Sequence, residues 1–142
     1  MRLKDILVRK GHHVQVIEEH RSVLEAAKTL VHHNIGSLLV KRGGRVTGIV
    51  TERDVLRLAS ERGPLEDIAV GSIMSDDLVV ADPEDELYAA MGVMTERRIR
   101  HLPVMEGGVV VGIVSIGDLV NACRLVAEDE NSHLRQYIRS AW

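Results

Sequence analysis

The 142-residue chain has no phenylalanine, two tyrosines, one tryptophan, one cysteine and three prolines. Binders of single-stranded nucleic acid stack bases on aromatic platforms, which Tyr88, Tyr137 and Trp142 are too few to build. A lone Cys123 excludes an intramolecular disulfide and a cysteine-cluster zinc site, and it suits a reducing cytosol. No stretch approaches 18 consecutive apolar residues, so no membrane span is expected. Met1-Arg-Leu-Lys-Asp-Ile6 has no apolar run behind it of the kind that marks a signal peptide. Charge of either sign is also lacking in excess: 18 − 21 gives −3, too little to recruit nucleic acid or anionic lipid. These absences point to a cytoplasmic protein with no nucleic-acid or membrane partner.

What is present is a duplication. Residues 14–57 reappear without a gap at 78–121, pairing Val16 with Val80, Ala26 with Ala90 and Leu38 with Leu102. The same shift of 64 pairs Gly43-Gly44 with Gly107-Gly108. The best match sets Gly48-Ile49-Val50-Thr51-x-x-Asp54 against Gly112-Ile113-Val114-Ser115-x-x-Asp118. A hydroxyl and a carboxylate kept three residues apart in both copies suggest two related pockets.

Each copy predicts the order β-α-β-β-α. A short strand (Val14–Ile17; Leu78–Ala81) leads into a helix with Val23, Ala26, Ala27, Leu30 and Val31, or Leu87, Ala90, Met91 and Met94, at helical spacing. Ser22 and Glu25 have the form of a capping box. Strands Ser37–Lys41 with Arg45–Val50, and His101–Met105 with Val109–Val114, are joined by Gly-Gly pairs, a hairpin signal. A second helix follows each hydroxyl motif, with Val55, Leu56 and Leu58 or Leu119, Val120 and Cys123. Preludes Leu3–Leu7 and Val70–Met74 match at a shift of 67. The connector Ser60–Asp67, with Gly63-Pro64, marks the boundary. The expected division is residues 1–63, 64–124 and a helical extension over 125–142. One copy of about 60 residues buries a marginal core, so the fold class expected is α+β, two repeats packed with pseudo-twofold symmetry.

The duplicated hairpin, the Gly-h-h-[Thr/Ser]-x-x-Asp ending and the Arg100-His101-Leu102-Pro103-Val104 strand start resemble a tandem pair of CBS domains, a Bateman module. The resemblance runs from Leu3 to about Cys123, and it is that of a stand-alone pair. It implies a cleft between the repeats that binds AMP, ADP, ATP, NAD or S-adenosylmethionine as a regulatory ligand, with no cofactor required. It implies ribose binding by Asp54 and Asp118, with Thr51 and Ser115 on phosphate or ribose. A carboxylate is a strong acceptor for a cis-diol, and a helix start offers free N–H groups to an anion.

As a plain helix start, Thr51 is an N-cap and the neighbouring acids complement the dipole. The copies differ beside it: Arg53 faces Gly117, and Arg100-His101 face Gly36-Ser37. The resemblance brings the strand start of one repeat to the phosphate held by the other. Arg53, Arg100 and His101 are therefore expected to serve the Asp54 turn, a grouping suited to phosphate. The Asp118 turn, facing Gly36 and Ser37, is expected to have room but no matching charge. Ile17, Ile35, Ile99 and Pro103 are the candidate adenine walls, since aromatics are missing. The carboxylates of Asp82-Pro-Glu-Asp-Glu86 read as dipole-complementing charges at a helix start.

No catalytic residue and no metal site are expected. His12-His13 and His32-His33 are adjacent pairs whose side chains diverge on a helix, and no ligand spacing, P-loop or nucleophile elbow occurs. The expected function is a non-catalytic module that binds adenine nucleotide and transmits its state to a partner protein or a homodimer. Its rivals are a nucleotide-independent dimerisation module, a nucleotide-processing enzyme and a nucleic-acid binder using Arg97, Arg98 and Arg100. The stripes with Leu56, Val120 and Cys123 and the terminal stripe with Leu134, Tyr137 and Ile138 are candidates for a dimer contact.

Overall fold

A computed structural model describes residues 1–61 and 63–141. Arg62 of the expected connector and Trp142, the last residue of the expected extension, lie outside the described residues. The elements follow the predicted order: α1 (Leu3–Lys10), β1 (Val16–Glu18), α2 (Val23–His33), β2 (Ser37–Arg42), β3 (Arg45–Thr51) and α3 (Glu52–Glu61), then α4 (Leu87–Arg97), β4 (His101–Glu106), β5 (Val109–Ser115) and α5 (Ile116–Ser140). Two 3₁₀ turns, Leu65–Asp67 and Val70–Ser72, link the halves. The chain is α+β, and it divides into two compact units: Val14–Leu78, and Met1–His13 together with Val79–Trp142.

In the Val14–Leu78 unit, β1 runs parallel to β2, and β2 antiparallel to β3. Gly43 and Gly44 take φ of 56° and 80°, the paired positive values of a two-residue hairpin turn. The capping box of α2 forms as expected: Ser22 Oγ accepts from Glu25 N at 3.1 Å, and Glu25 Oε2 accepts from Ser22 N at 3.1 Å. Val23, Ala26 and Leu30 of α2 are buried with Leu38, Val40 and Val50 of the sheet. Val31, on the expected apolar stripe, is 82% exposed.

The other unit repeats the design with a thinner sheet. β4 and β5 form the same hairpin, but the strand expected over Leu78–Ala81 survives only as one bridge, Ala81 to Val104. The cause is Pro103. Its counterpart Leu39 donates its N–H to Gln15 O at 3.2 Å, and proline has no N–H for that ladder bond. Ala81 still donates to Pro103 O and accepts from Met105 N, at 2.9 and 2.8 Å. α5 runs unbroken for 25 residues, so the expected second helix and terminal extension are one helix. No Gly or Pro interrupts it after Gly117, and its residues from Ala127 to Ser140 are exposed.

The preludes exchange units. α1 was expected with the first repeat, yet Leu3, Ile6 and Leu7 are buried with Leu102, Val114 and Leu119 of the second. The second prelude, with Val70 buried and Ile73 and Met74 beside it, belongs to the core of the first repeat. Glu84 and Glu86, read from sequence as dipole charges, instead clamp α1. Lys4 Nζ lies 2.6 Å from Glu84, Arg2 pairs with both glutamates, and the Met1 amine is 3.7 Å from Glu86.

Both docked preludes rest on a motif glycine. A Cβ on Gly48 would lie 2.6 Å from Met74 Sδ and 2.6 Å from Ser75 O; one on Gly112 would lie 2.5 Å from Leu7 Cδ2. Overpacking of this kind costs roughly 1–3 kcal/mol. Urea denaturation should show Gly48→Ala losing stability in that range, and losing more than Gly112→Ala, because at Gly48 the obstacle includes backbone.

Candidate functional site: the two strand-to-helix turns

Each hairpin ends where its last strand turns into a helix, and the register sets what stands there. Ser37 lies opposite Thr51 in β2–β3, and His101 opposite Ser115 in β4–β5. The first helical N–H of each following helix bonds back to the strand start: Glu52 N to Gly36 O at 3.0 Å, Ile116 N to Arg100 O at 2.9 Å. Gly36-Ser37 thus flank the Thr51 turn, and Arg100-His101 flank the Ser115 turn, within their own units.

The hydroxyl–carboxylate pairs are reciprocal caps. Asp54 Oδ2 accepts from Thr51 N at 2.8 Å and from Thr51 Oγ1 at 3.0 Å, while Asp54 N donates to Thr51 Oγ1 at 3.4 Å. Asp118 Oδ2 accepts from Ser115 N at 2.8 Å, and Asp118 N donates to Ser115 Oγ at 3.1 Å. The spacing of three residues is what a capping box requires. Both aspartates are half-buried. Arg53 and Gly117 are exposed on the first turns of α3 and α5.

The other expected site residues are dispersed. Ile17 and Pro103 are buried, and Ile17 belongs to the core of its unit. Ile35 and Ile99 are half-buried against the two cores, each just after a left-handed helix end, Asn34 at φ 51° and Arg98 at φ 54°. Ser37 is 8% exposed, while Arg100 is exposed and His101 half-buried. Among the described residues, no group of three or more His, Cys, Asp or Glu side chains is placed to hold a metal ion. No helix among them is long and apolar enough to cross a membrane.

Lys10, which no sequence motif singles out, stands at the second turn. No matching charge is expected at the Asp118 turn; Lys10 supplies one. Its ammonium lies 2.6 Å from Asp118 Oδ2 and donates to Ile113 O at 2.7 Å. The placement follows from α1: Leu7 sits on Gly112, and Lys10, one turn on along the same face, arrives at the start of α5. A cleft of about 220 Å³ opens beside the pair, lined in part by Ile6, Arg9, Asn121 and Leu125. The sequence carries no signal for the pair, because Lys10 lies where the two preludes differ in length by three residues.

Burial alone would push the Asp118 carboxyl up, but the Lys10 hydrogen bond, the Ser115 backbone N–H and the Lys10 charge outweigh it and leave the pKa below the usual 3.8. A carboxyl held low stabilises the fold above its unfolded pKa and loses that contribution as pH falls through the folded value. With side-chain exposures of 33% and 25%, solvent screening limits the pair to about 1 kcal/mol. Asp118→Asn should therefore melt below the parent protein at pH 7, and the gap should close as pH drops below 3.8.

Comparison with known proteins matches this architecture. The CBS domain profile matches residues 3–61 and 70–125. The mitochondrial CBS domain-containing protein CBSX3 of Arabidopsis thaliana is 37% identical over 127 residues, 85% of this chain. The chain spans 62% of that relative's length. The crystal structure of the CBS-domain-containing protein ATU1752 from Agrobacterium tumefaciens superposes with a TM-score of 0.82 at 38% identity, covering 86% of this chain and 98% of that one. The CBS domain pair of MJ0100, solved in complex with 5′-methylthioadenosine and S-adenosyl-L-methionine, superposes with a TM-score of 0.75 at 26% identity, over 86% of this chain and 98% of its own. With two matched copies and structural counterparts over 86% of its length, the chain belongs to the CBS-domain family as a tandem pair.

Proposed function

We propose that this CBS pair is a non-catalytic regulatory module that binds an adenine nucleotide, AMP, ATP or NAD, through the turn at Thr51–Asp54. The carboxylate of Asp54 carries the reading. A carboxylate accepts about four hydrogen bonds, and the turn gives Asp54 only two, both on Oδ2. Oδ1 keeps acceptor capacity for the two hydroxyls of a ribose. Among the described residues no cation is paired with Asp54. The adenosine ligands of MJ0100 support the same ligand class for this chain. Arg53, exposed on the first turn of α3, is the proposed phosphate group of this turn, fit for a bidentate contact. Ile35, half-buried, is a better-placed adenine wall than the buried Ile17.

A ligand shifts a module of this kind only by binding one of its states more tightly than another. The proposed readers of that shift are a second copy and a partner protein. Leu56 and Val120, equivalent positions in the two repeats, are 72% and 55% exposed and suit a contact between copies. Light scattering should give twice the 15.7 kDa chain mass, and a monomer at all concentrations would dismiss the dimer. A half-buried Cys123 fits a reducing compartment such as the cytoplasm.

Titration calorimetry with AMP tests the site. Asp54→Ala should weaken binding by roughly tenfold or more, the worth of hydrogen bonds to a charged group. Arg53→Ala should weaken AMP while leaving adenosine unaffected. Unchanged AMP affinity in Asp54→Ala would refute the assignment, and turnover of ATP or NAD would refute the non-catalytic reading.

A further inference from the structure

The two turns share backbone geometry but differ in what holds the carboxylate. At Asp54 the second donor to Oδ2 is the neutral hydroxyl of Thr51, part of the turn itself. At Asp118 it is a full cation from a different element, Lys10 of α1. The same ammonium spends a further donor on Ile113 O, on the last strand before the turn. Charge-assisted bonds of this length are about twice as strong as neutral ones. Both bonds to Asp118 fall on Oδ2, as at Asp54, so Oδ1 is open in both turns; what differs is that the charge of Asp118 is already matched by an ammonium, whereas among the described residues no cation is paired with Asp54.

Lys10 is also held from behind. α1 is fixed at its start by Leu3 N to Asp85 O at 3.0 Å and Lys4 N to Pro83 O at 2.9 Å. It is fixed in its middle by Leu7, 1% exposed on Gly112. Gly11, with φ of 100°, ends the helix directly after the lysine. The ammonium is therefore delivered by a docked helix, not by a loose surface side chain. The other prelude, a 3₁₀ turn over Val70–Ser72, runs on into Asp76 and Asp77, which have no positive charge to offer Asp54.

We infer that Lys10 is the specificity-determining residue of the pair: by matching the charge of Asp118 it weakens the second turn for a nucleotide and leaves the Asp54 turn as the higher-affinity site. This rests on the adenosine reading above and goes beyond it by naming what makes the two repeats unequal. If Lys10 served only to pin α1, removing it would lower stability without altering how many nucleotides bind.

The test is calorimetric titration of the full chain with AMP. The parent protein should bind one AMP per chain. Lys10→Met should bind two, the new one roughly fivefold tighter than any second event in the parent. Adding Asp118→Ala to Lys10→Met should remove the new event. Lys10→Gln, which keeps side-chain length without the charge, should behave as Lys10→Met does if the methionine variant folds poorly, and Lys10→Arg should stay at one. Two equal events in the parent, a stoichiometry of one in both neutral variants, or weaker AMP binding on losing the lysine would overturn the inference while leaving the adenosine reading in place. AMP binding by none of the proteins would overturn the adenosine reading and the inference with it.

Discussion

The close approach at the glycine three residues before each motif hydroxyl, Gly48 before Thr51 and Gly112 before Ser115, is the constraint on which the other features hang. A long apolar side chain from a prelude lies where a Cβ would be, Met74 on Gly48 and Leu7 on Gly112. Interiors are packed to crystal-like density, so a side chain seated on a glycine leaves the element that carries it little room to shift. In one unit that element is a short irregular segment bonded to β3 through Ile49 and Ser75. In the other it is α1, a regular helix. The same contact therefore has different consequences downstream: only the helix carries a residue one turn further to the head of α5.

That difference links packing to chemistry. The turns are built as capping boxes, which give each helix start its missing acceptors and hold each aspartate in one place. Capping and ligand binding are not alternatives for these carboxylates, because one oxygen satisfies the turn and acceptor capacity remains. The added cation at Asp118 changes the competition for that capacity, and it reaches there because Leu7 and Lys10 share a helical face.

Much of this was legible in the residues. Glycine pairs fixed both hairpins, since consecutive positive φ values demand them. Serine and glutamate three apart announced the start of α2, and the repeat announced the second copy of every element. Failures were local and physical. Pro103 removes one ladder donor and reduces an expected strand to a bridge. Val31 falls on the helical stripe but outside the buried arc. Glu84 and Glu86 sit at a helix start yet find nearby cations on α1, which attract them more directly than a dipole does.

The sequence by itself determined the elements, the duplication, the family and the identity of the paired turn residues, because these depend on short-range spacing: two residues for a hairpin turn, three for a cap, 64 for the repeat. Tertiary structure alone decided which repeat each prelude joins and, through that, where Lys10 places its charge. Lys10 and Asp118 are 108 positions apart, and no periodicity reaches across that distance. They meet because Leu3, Ile6 and Leu7 are buried against the second repeat, and that burial carries the end of α1 to the start of α5.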